Sequence, residues 1–211
     1  MTVAATDGLE ALSIGRLAND VGLSKSGLFA HFRSKEKLQV QVLEFARENF
    51  VNQVVGPSLR QPRGAPRVRA LYENWLTWGS SPERVGGCVF LQAAAEYDDR
   101  EGPVRDFLVQ TQRDWIDTLV RGADQACEEG HFRIDTDSRQ FAFELYAMMM
   151  ANHFYKRLLA DPESELRTRR AFERLITRCR KGVSTGPSPN PAANAGPSAP
   201  HSAAPKLNSS Q

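Results

Sequence analysis

The stretch from Ser13 to Lys37, SIGRLANDVGLSKSGLFAHFRSKEK, constrains this chain more than any other. Ile14, Leu17, Ala18 and Val21 recur at three- and four-residue steps, which gives one helix face an apolar stripe. Ser13 stands just ahead of that run, where a hydroxyl can accept from the free amides of a first turn. Gly22 follows it and suits the positive φ that stops a helix sharply. Leu23 fills the corner, and Ser24 is a second N-cap. The next helix, Lys25 to about His31, is only two turns long and carries Leu28 and Phe32 towards the first. The short step from Ala18 to Gly22 lets two backbones approach at a helix-turn-helix angle. Ser34 then caps a third helix.

A short second helix can probe the major groove of DNA. Its open face carries Lys25, Ser26, Gly27, Phe29, Ala30 and His31, with Arg33, Lys35 and Lys37 directly behind. Glu36 is the single acid from 25 to 37, so the local net charge is +3 with His31 neutral. Basic and hydroxyl groups around a helix N-terminus are what phosphate oxygens select. The same residues also fit an ordinary helical corner with a solvated basic rim, because short helical hairpins are common.

The run GLSKSGLFAHFRSKEKL, preceded by LSIGRLANDV, resembles the DNA-binding motif of TetR/AcrR-family transcriptional regulators. The resemblance is specific from residue 9 to about 50 and extends as a helical layout to about 181. It implies an all-α fold: an N-terminal helix-turn-helix DNA-binding domain over 1–55, with its motif at 13–32, and a C-terminal helical ligand-binding and dimerisation domain over 56–181. It further implies a homodimer on double-stranded operator DNA, and a small-molecule effector that shifts the dimer off it. Carried over by position, Lys25 and Ser26 face bases or phosphates, with Gly27 and Phe29 on the same face. His31 and Lys35 fall where the family holds the DNA backbone, and Ser13 where the capping hydroxyl also meets a phosphate. At Phe29 the family usually has tyrosine; phenylalanine is expected to keep the packing and lose the hydroxyl contact.

A full helix precedes the motif in that family, whereas Met1 to Gly8 give room for roughly 12 Å of helix. Burying Leu17, Leu28 and Phe32 needs a third wall, so an upstream start is expected. The rival reading is a dimeric helical interaction or ligand-sensing module that has lost operator binding through this short first helix.

Downstream, helical spacing of Leu38, Val42, Phe45, Ala46 and Phe50 predicts a helix from Lys35 to about Val55, ended by Gly56-Pro57. Residues 56–66 read as a linker. Pro66 suits the first turn of a helix that buries Val68, Leu71, Tyr72, Trp75 and Leu76 and ends near Gly79 to Pro82. A short Ala-rich helix spans about 87–97. Glu96, Asp98, Asp99 and Glu101 after it read as a solvated loop. Gly102-Pro103 opens a long helix with Val104, Phe107, Leu108, Thr111, Trp115 and Leu119 in register, closing at Gly130.

From Asp137 to about Leu159 the pattern is apolar nearly all round, which requires cover on several sides. The helix after it, with Asp161 as cap and Pro162 in its first turn, has a narrow stripe of Leu166, Phe172, Leu175, Ile176 and Cys179. Its remaining faces carry 7 Lys or Arg against 3 Glu between 163 and 181 and read as solvated. The two helices packed against their copies would make a four-helix interface. The candidates for it are Phe143, Met150, Phe154, Leu158, Phe172, Leu175 and Ile176.

An effector pocket between helices would draw on Trp75, Trp78, Phe90, Phe107, Thr111, Trp115, Tyr146 and Met149, with Gln92 or Asn152 orienting the ligand. That lining favours an apolar or aromatic molecule. Enzyme motifs are missing: there is no GxSxG elbow, Gly-rich phosphate loop or HExxH, and no cofactor or metal is expected. Cys88, Cys127 and Cys179 are far apart in sequence and read as reduced thiols of a cytoplasmic protein, with Cys88 the candidate for redox sensing. No apolar run reaches the ~20 residues that cross a bilayer. With 27 basic and 25 acidic side chains, affinity for DNA has to come from local patterning. The tail from Gly182 holds six of the twelve prolines, no aromatic residue and one charge, Lys206. That composition predicts disorder.

Overall fold

Three serines set the register of the N-terminal helices in the computed structural model, which describes residues 2–22, 24–80 and 86–181. Ser13 Oγ accepts from the Arg16 amide, Ser24 Oγ from Gly27 and Ser34 Oγ from Lys37, each at 3.1 Å. They open α2 (Ile14–Val21), α3 (Lys25–Phe32) and α4 (Lys35–Phe50), after a five-residue α1 (Thr2–Thr6). Gly22 takes φ 67° and donates back to Ala18 and Asn19, which ends α2 where a side chain at Cβ would be strained. Ile14, Ala18, Leu28 and Leu38 close into a small cluster, with Leu17 and Phe32 only partly buried against it. The corner residue Leu23 and the tail 182–211 lie outside the described residues.

The expected stop at Gly56-Pro57 does not occur. α4 runs into a π turn, Val51–Val55, and continues as α5 (Gly56–Leu59). The Gly56 amide reaches back five residues to the Val51 carbonyl. Proline normally clashes with the carbonyl four residues before it. The wider turn carries the chain past that point, and Ser58 Oγ then donates to Val54 O at 2.6 Å inside the fold.

Five further helices follow: α6 (Ala65–Ser80), α7 (Val89–Tyr97), α8 (Pro103–Glu128), α9 (Ser138–Arg157) and α10 (Ser164–Cys179). The 26-residue α8 is the central post, packed by α4, α6, α7 and α9, while α10 lies against α9. The apolar core crosses position 55: Leu9, Leu43 and Ala46 share it with Leu71, Leu119, Leu145 and Ile176. No sheet forms among the described residues. A single bridge pairs Phe132 with Arg180.

α10 departs from expectation twice. It starts at Ser164, because Asp161 caps a preceding turn by accepting from the Glu163 amide at 2.9 Å. Its cations are also laced to neighbouring helices rather than simply solvated. Arg169 bonds Glu73 of α6 at 2.5 Å, and further pairs join Arg69 to Glu173 and Arg178 to Glu144. This lacing goes with burial of the apolar stripe. Phe172, Leu175 and Ile176 sit within the chain's own core, Phe172 stacked on Tyr72 at 3.9 Å with 1% of its surface exposed. These three therefore face the chain's own core, contrary to the expectation of an interface with a copy. Phe143, Met150 and Phe154 lie on the outer side of α9, with Leu158 directly after its end, and all four are exposed, Phe143 at 66%.

Candidate nucleic-acid interface and small-molecule cavity

α3 is held from one side only. Leu28 anchors it in the small cluster, and Lys25, Ser26, Gly27, Phe29, Ala30 and His31 all remain exposed. Phe29 does not keep the packing expected of it: 56% of its surface is open. An aromatic ring left out on a basic helix face is available to a partner rather than to the core. Ser24 Oγ lies 3.4 Å from Ser26 Oγ, so the cap and the base-reading candidate share one polar edge. His31 sets its ring edge-on to Phe32 at 4.7 Å.

Behind α3, Lys35 is already engaged. Its Nζ lies 2.5 Å from Glu10 Oε1, and the other Glu10 oxygen accepts from Tyr97 Oη at 3.0 Å and Arg100 Nη1 at 2.9 Å. The Lys35 bond is the main reason the Glu10 carboxyl sits below the usual range, with Tyr97 and Arg100 adding to it. Burial, then the bond to Glu10, pushes the Tyr97 phenol up. Next to it, Glu96 accepts from the amides of Leu9 at 3.0 Å and Glu10 at 2.7 Å. Glu96 is thus no loop solvator. It belongs to α7 and grips the chain just before α2, a role that the adjacency of acids along the sequence does not reveal.

A cavity of about 120 Å³, partly open to solvent, lies between α4, the π turn, α6, α7, α8 and α9. Trp75, Phe90, Thr111, Trp115 and Tyr146 line it as the sequence suggests. The other candidates do not. Trp78 backs the wall through Phe50 at 5.0 Å, Met149 is sealed in the core, and Phe107 lies beneath the Arg47 guanidinium at 5.0 Å. Gln92 turns instead to Gly86 O at 2.8 Å, and Asn152 pairs with Thr168 at 3.3 Å beside a different cleft.

Sequence reading missed the side of this cavity formed by α4 and the π turn: Arg47, Phe50, Val51 and Val55. The available signal was a cation, Arg47, standing next to the apolar stripe of α4. Cys88 also lines the cavity, and Tyr146 Oη donates to Gln112 Oε1 across it. Burial first, then Cys88, pushes the Tyr146 phenol up, so it stays a protonated donor. Among the described residues no group of His, Cys, Asp or Glu converges as a metal site, and no helix is long and apolar enough to cross a membrane.

Residues 64–172 match a family model described as tetracyclin repressor-like, C-terminal domain, and residues 1–42 match bacterial regulatory proteins, tetR family. No curated protein matches the sequence. A TetR-family transcriptional regulator from Cytophaga hutchinsonii has a TM-score of 0.75 at 18% identity, over 85% of this chain and 90% of its own. A TetR transcriptional regulator from Chloroflexus aurantiacus J-10-FL reaches 0.73 at 22%, over 83% and 87%. AibR, solved with isovaleryl coenzyme A and operator DNA, reaches 0.63 at 18%, over 84% and 92%. At these identities the likeness is one of fold.

Proposed function

This chain belongs to the TetR family of bacterial transcriptional regulators, and from that premise we propose a homodimeric repressor released from a near-palindromic operator by a small molecule. Each protomer sets its α3 into a major groove, the two spaced about 34–36 Å apart. Lys25 and Ser26 read bases, with Gly27 allowing close approach. Ser13, His31 and Lys35 hold phosphates, and the exposed ring of Phe29 lies against the DNA. The exposed stripe of Phe143, Met150 and Phe154 on α9, with Leu158 directly after it, pairs with its copy.

One observation carries the reading: α4 starts directly behind α3 at Lys35 and ends in the cavity wall at Arg47 and Phe50. A ligand that fills the cavity presses on the helix that aims the DNA-reading element. An apolar or aromatic effector suits the lining. AibR, with an acyl thioester and operator DNA in one structure, shows that the fold accommodates both kinds of partner.

The test is a mobility-shift titration on the DNA flanking the gene, at several salt concentrations. Specific retention that weakens steeply with salt is expected. Lys35→Ala should weaken binding to all sequences, whereas Lys25→Ala and Ser26→Ala should change which bases are preferred. A folded dimer that retains no DNA even at low salt would overturn the reading and favour an interaction module.

A further inference from the structure

We infer that the cavity takes a largely apolar molecule whose polar end is an oxygen acceptor, a carbonyl or a carboxylate, seated against Thr111 and Trp115. This rests on the cavity being the effector site and specifies what that effector must look like.

Phe50, Trp75, Phe90, Trp115 and Tyr146 supply aromatic walls. Within them two polar atoms have no partner in the protein: Thr111 Oγ1 and Trp115 Nε1. Their side chains belong to residues only 8% and 6% exposed. They stand four residues apart on α8, so they share one face of the helix. Folded interiors leave few polar atoms unpaired, and those they leave call for an explanation. Here both belong to residues that line one cavity, set just beneath its surface, where a ligand oxygen reaches them by parting these side chains.

The sign of the missing partner follows from the inventory of groups. An indole N–H can only donate, a guanidinium can only donate, and a threonine hydroxyl does either. Arg47 lines the same cavity from α4. The amide oxygen on this wall, Gln112 Oε1, is already taken by Tyr146 Oη. The Asp114 carboxylate is exposed and accepts from Gln110 Nε2 at 2.8 Å. Donors are therefore in surplus where the wall is driest, and a ligand oxygen satisfies them. Aromatic walls alone would equally suit a quaternary ammonium, but such a cation would face Arg47 and two donors it cannot bond.

Four probes with a common phenyl body separate these cases: benzylacetone, phenylbutyrate, butylbenzene and benzyltrimethylammonium. Each is titrated into the full chain and followed by tryptophan fluorescence. The ketone and the carboxylate should bind about tenfold tighter than butylbenzene, equivalent to about 1.4 kcal/mol, with the ammonium weakest. Thr111→Val and Trp115→Phe should each shrink that ratio towards one, with Trp75 still reporting in the second. Arg47→Gln should weaken phenylbutyrate and spare benzylacetone. Because the readout is a ratio between probes, a general loss of fold would not mimic it.

Tightest binding by butylbenzene or the ammonium would overturn the inference. So would a ratio untouched by both α8 variants, or no binding by any probe up to millimolar concentration. The same probes added to the DNA complex separate this inference from the reading beneath it. Acceptor preference without DNA release would keep the ligand assignment and refute the effector role. Release by all probes alike would do the reverse.

Discussion

Lys35 Nζ and Glu10 Oε1 lie 2.5 Å apart, so the cation assigned to the DNA backbone is held by a carboxylate that also bonds Tyr97 at the end of α7 and Arg100 just after it. In the free protein Lys35 faces two ways. Phosphate and Glu10 compete for one ammonium, and any shift of the segment after α7 changes the terms of that competition. The bonds are partly exposed, and their worth in stability is correspondingly small.

Glu10→Gln should therefore raise affinity for DNA of any sequence. It should also steepen the slope of log affinity against log salt, by up to about one unit for one phosphate contact. Fluorescence anisotropy across a salt series measures both. Unchanged affinity and slope would mean that Glu10 does not compete with phosphate for Lys35.

Phe29 separates binding from folding. Its ring is mostly exposed, so Phe29→Ala should change unfolding free energy by no more than about 0.5 kcal/mol while lowering operator affinity. Phe29→Tyr should restore a hydroxyl at the same place and tighten binding. Urea melts set beside mobility shifts distinguish the two effects, and a large loss of stability on Phe29→Ala would place the ring in the core after all.

On α9, Phe154→Asp introduces a charge into the proposed dimer stripe. Sedimentation should show the wild-type chain as a dimer and the variant as a monomer. Thermal midpoints should rise with protein concentration only in the wild type. A variant that remains dimeric would move the interface elsewhere.

Gly86 takes φ 95°, and a Cβ there would lie 2.0 Å from the Ala5 carbonyl oxygen in α1. Gly86→Ala should cost about 1–3 kcal/mol in backbone conformation alone and more through displacement of α1. Gly130→Ala is the internal control: φ is 69° there, but nothing lies within 4 Å of the added atom. Urea midpoints should fall further for Gly86→Ala than for Gly130→Ala, and equal losses would mean that α1 yields freely.

His153 packs against Gly87, where an added Cβ would come 2.7 Å from its ring, and burial first, then Arg157, lowers its pKa. The unfolded chain takes up this proton before the folded one does. The stability contribution is thus complete above the ordinary histidine value of about 6.5 and falls as the pH drops from there through the lower folded value. His153→Gln should flatten that decline in urea midpoints measured between about pH 7 and pH 5.

The N-terminal motif was legible because its signals are local. A serine one position before an apolar stripe, and a glycine one position after it, act through backbone amides only a few residues away. The long helices were legible through periodicity. What escaped depended on contacts distant in sequence. The burial of Phe172 depends on Tyr72 of α6, a hundred residues earlier, and nothing in the stripe that it shares with Leu175 and Ile176 distinguishes a covered face from one awaiting a copy. Glu96 and Glu10 are likewise 86 residues apart. Gly56-Pro57 misled for a different reason. The pair breaks an α-helix, but a π turn lets the chain continue past it.

That turn has a consequence for length. From Lys35 to Leu59 the chain forms one continuous rod, and a π turn is an α-helical path that has absorbed an extra residue without rotating either end. Elsewhere along the rod, removing one residue would swing everything beyond it by about 100° and misaim α3 relative to the cavity. Between Val51 and Val55 the same deletion would leave both ends in register, while setting Pro57 against the carbonyl four residues before it. The rod thus carries one place where its residue count can change while its aim does not, and that place lies in the wall of the cavity.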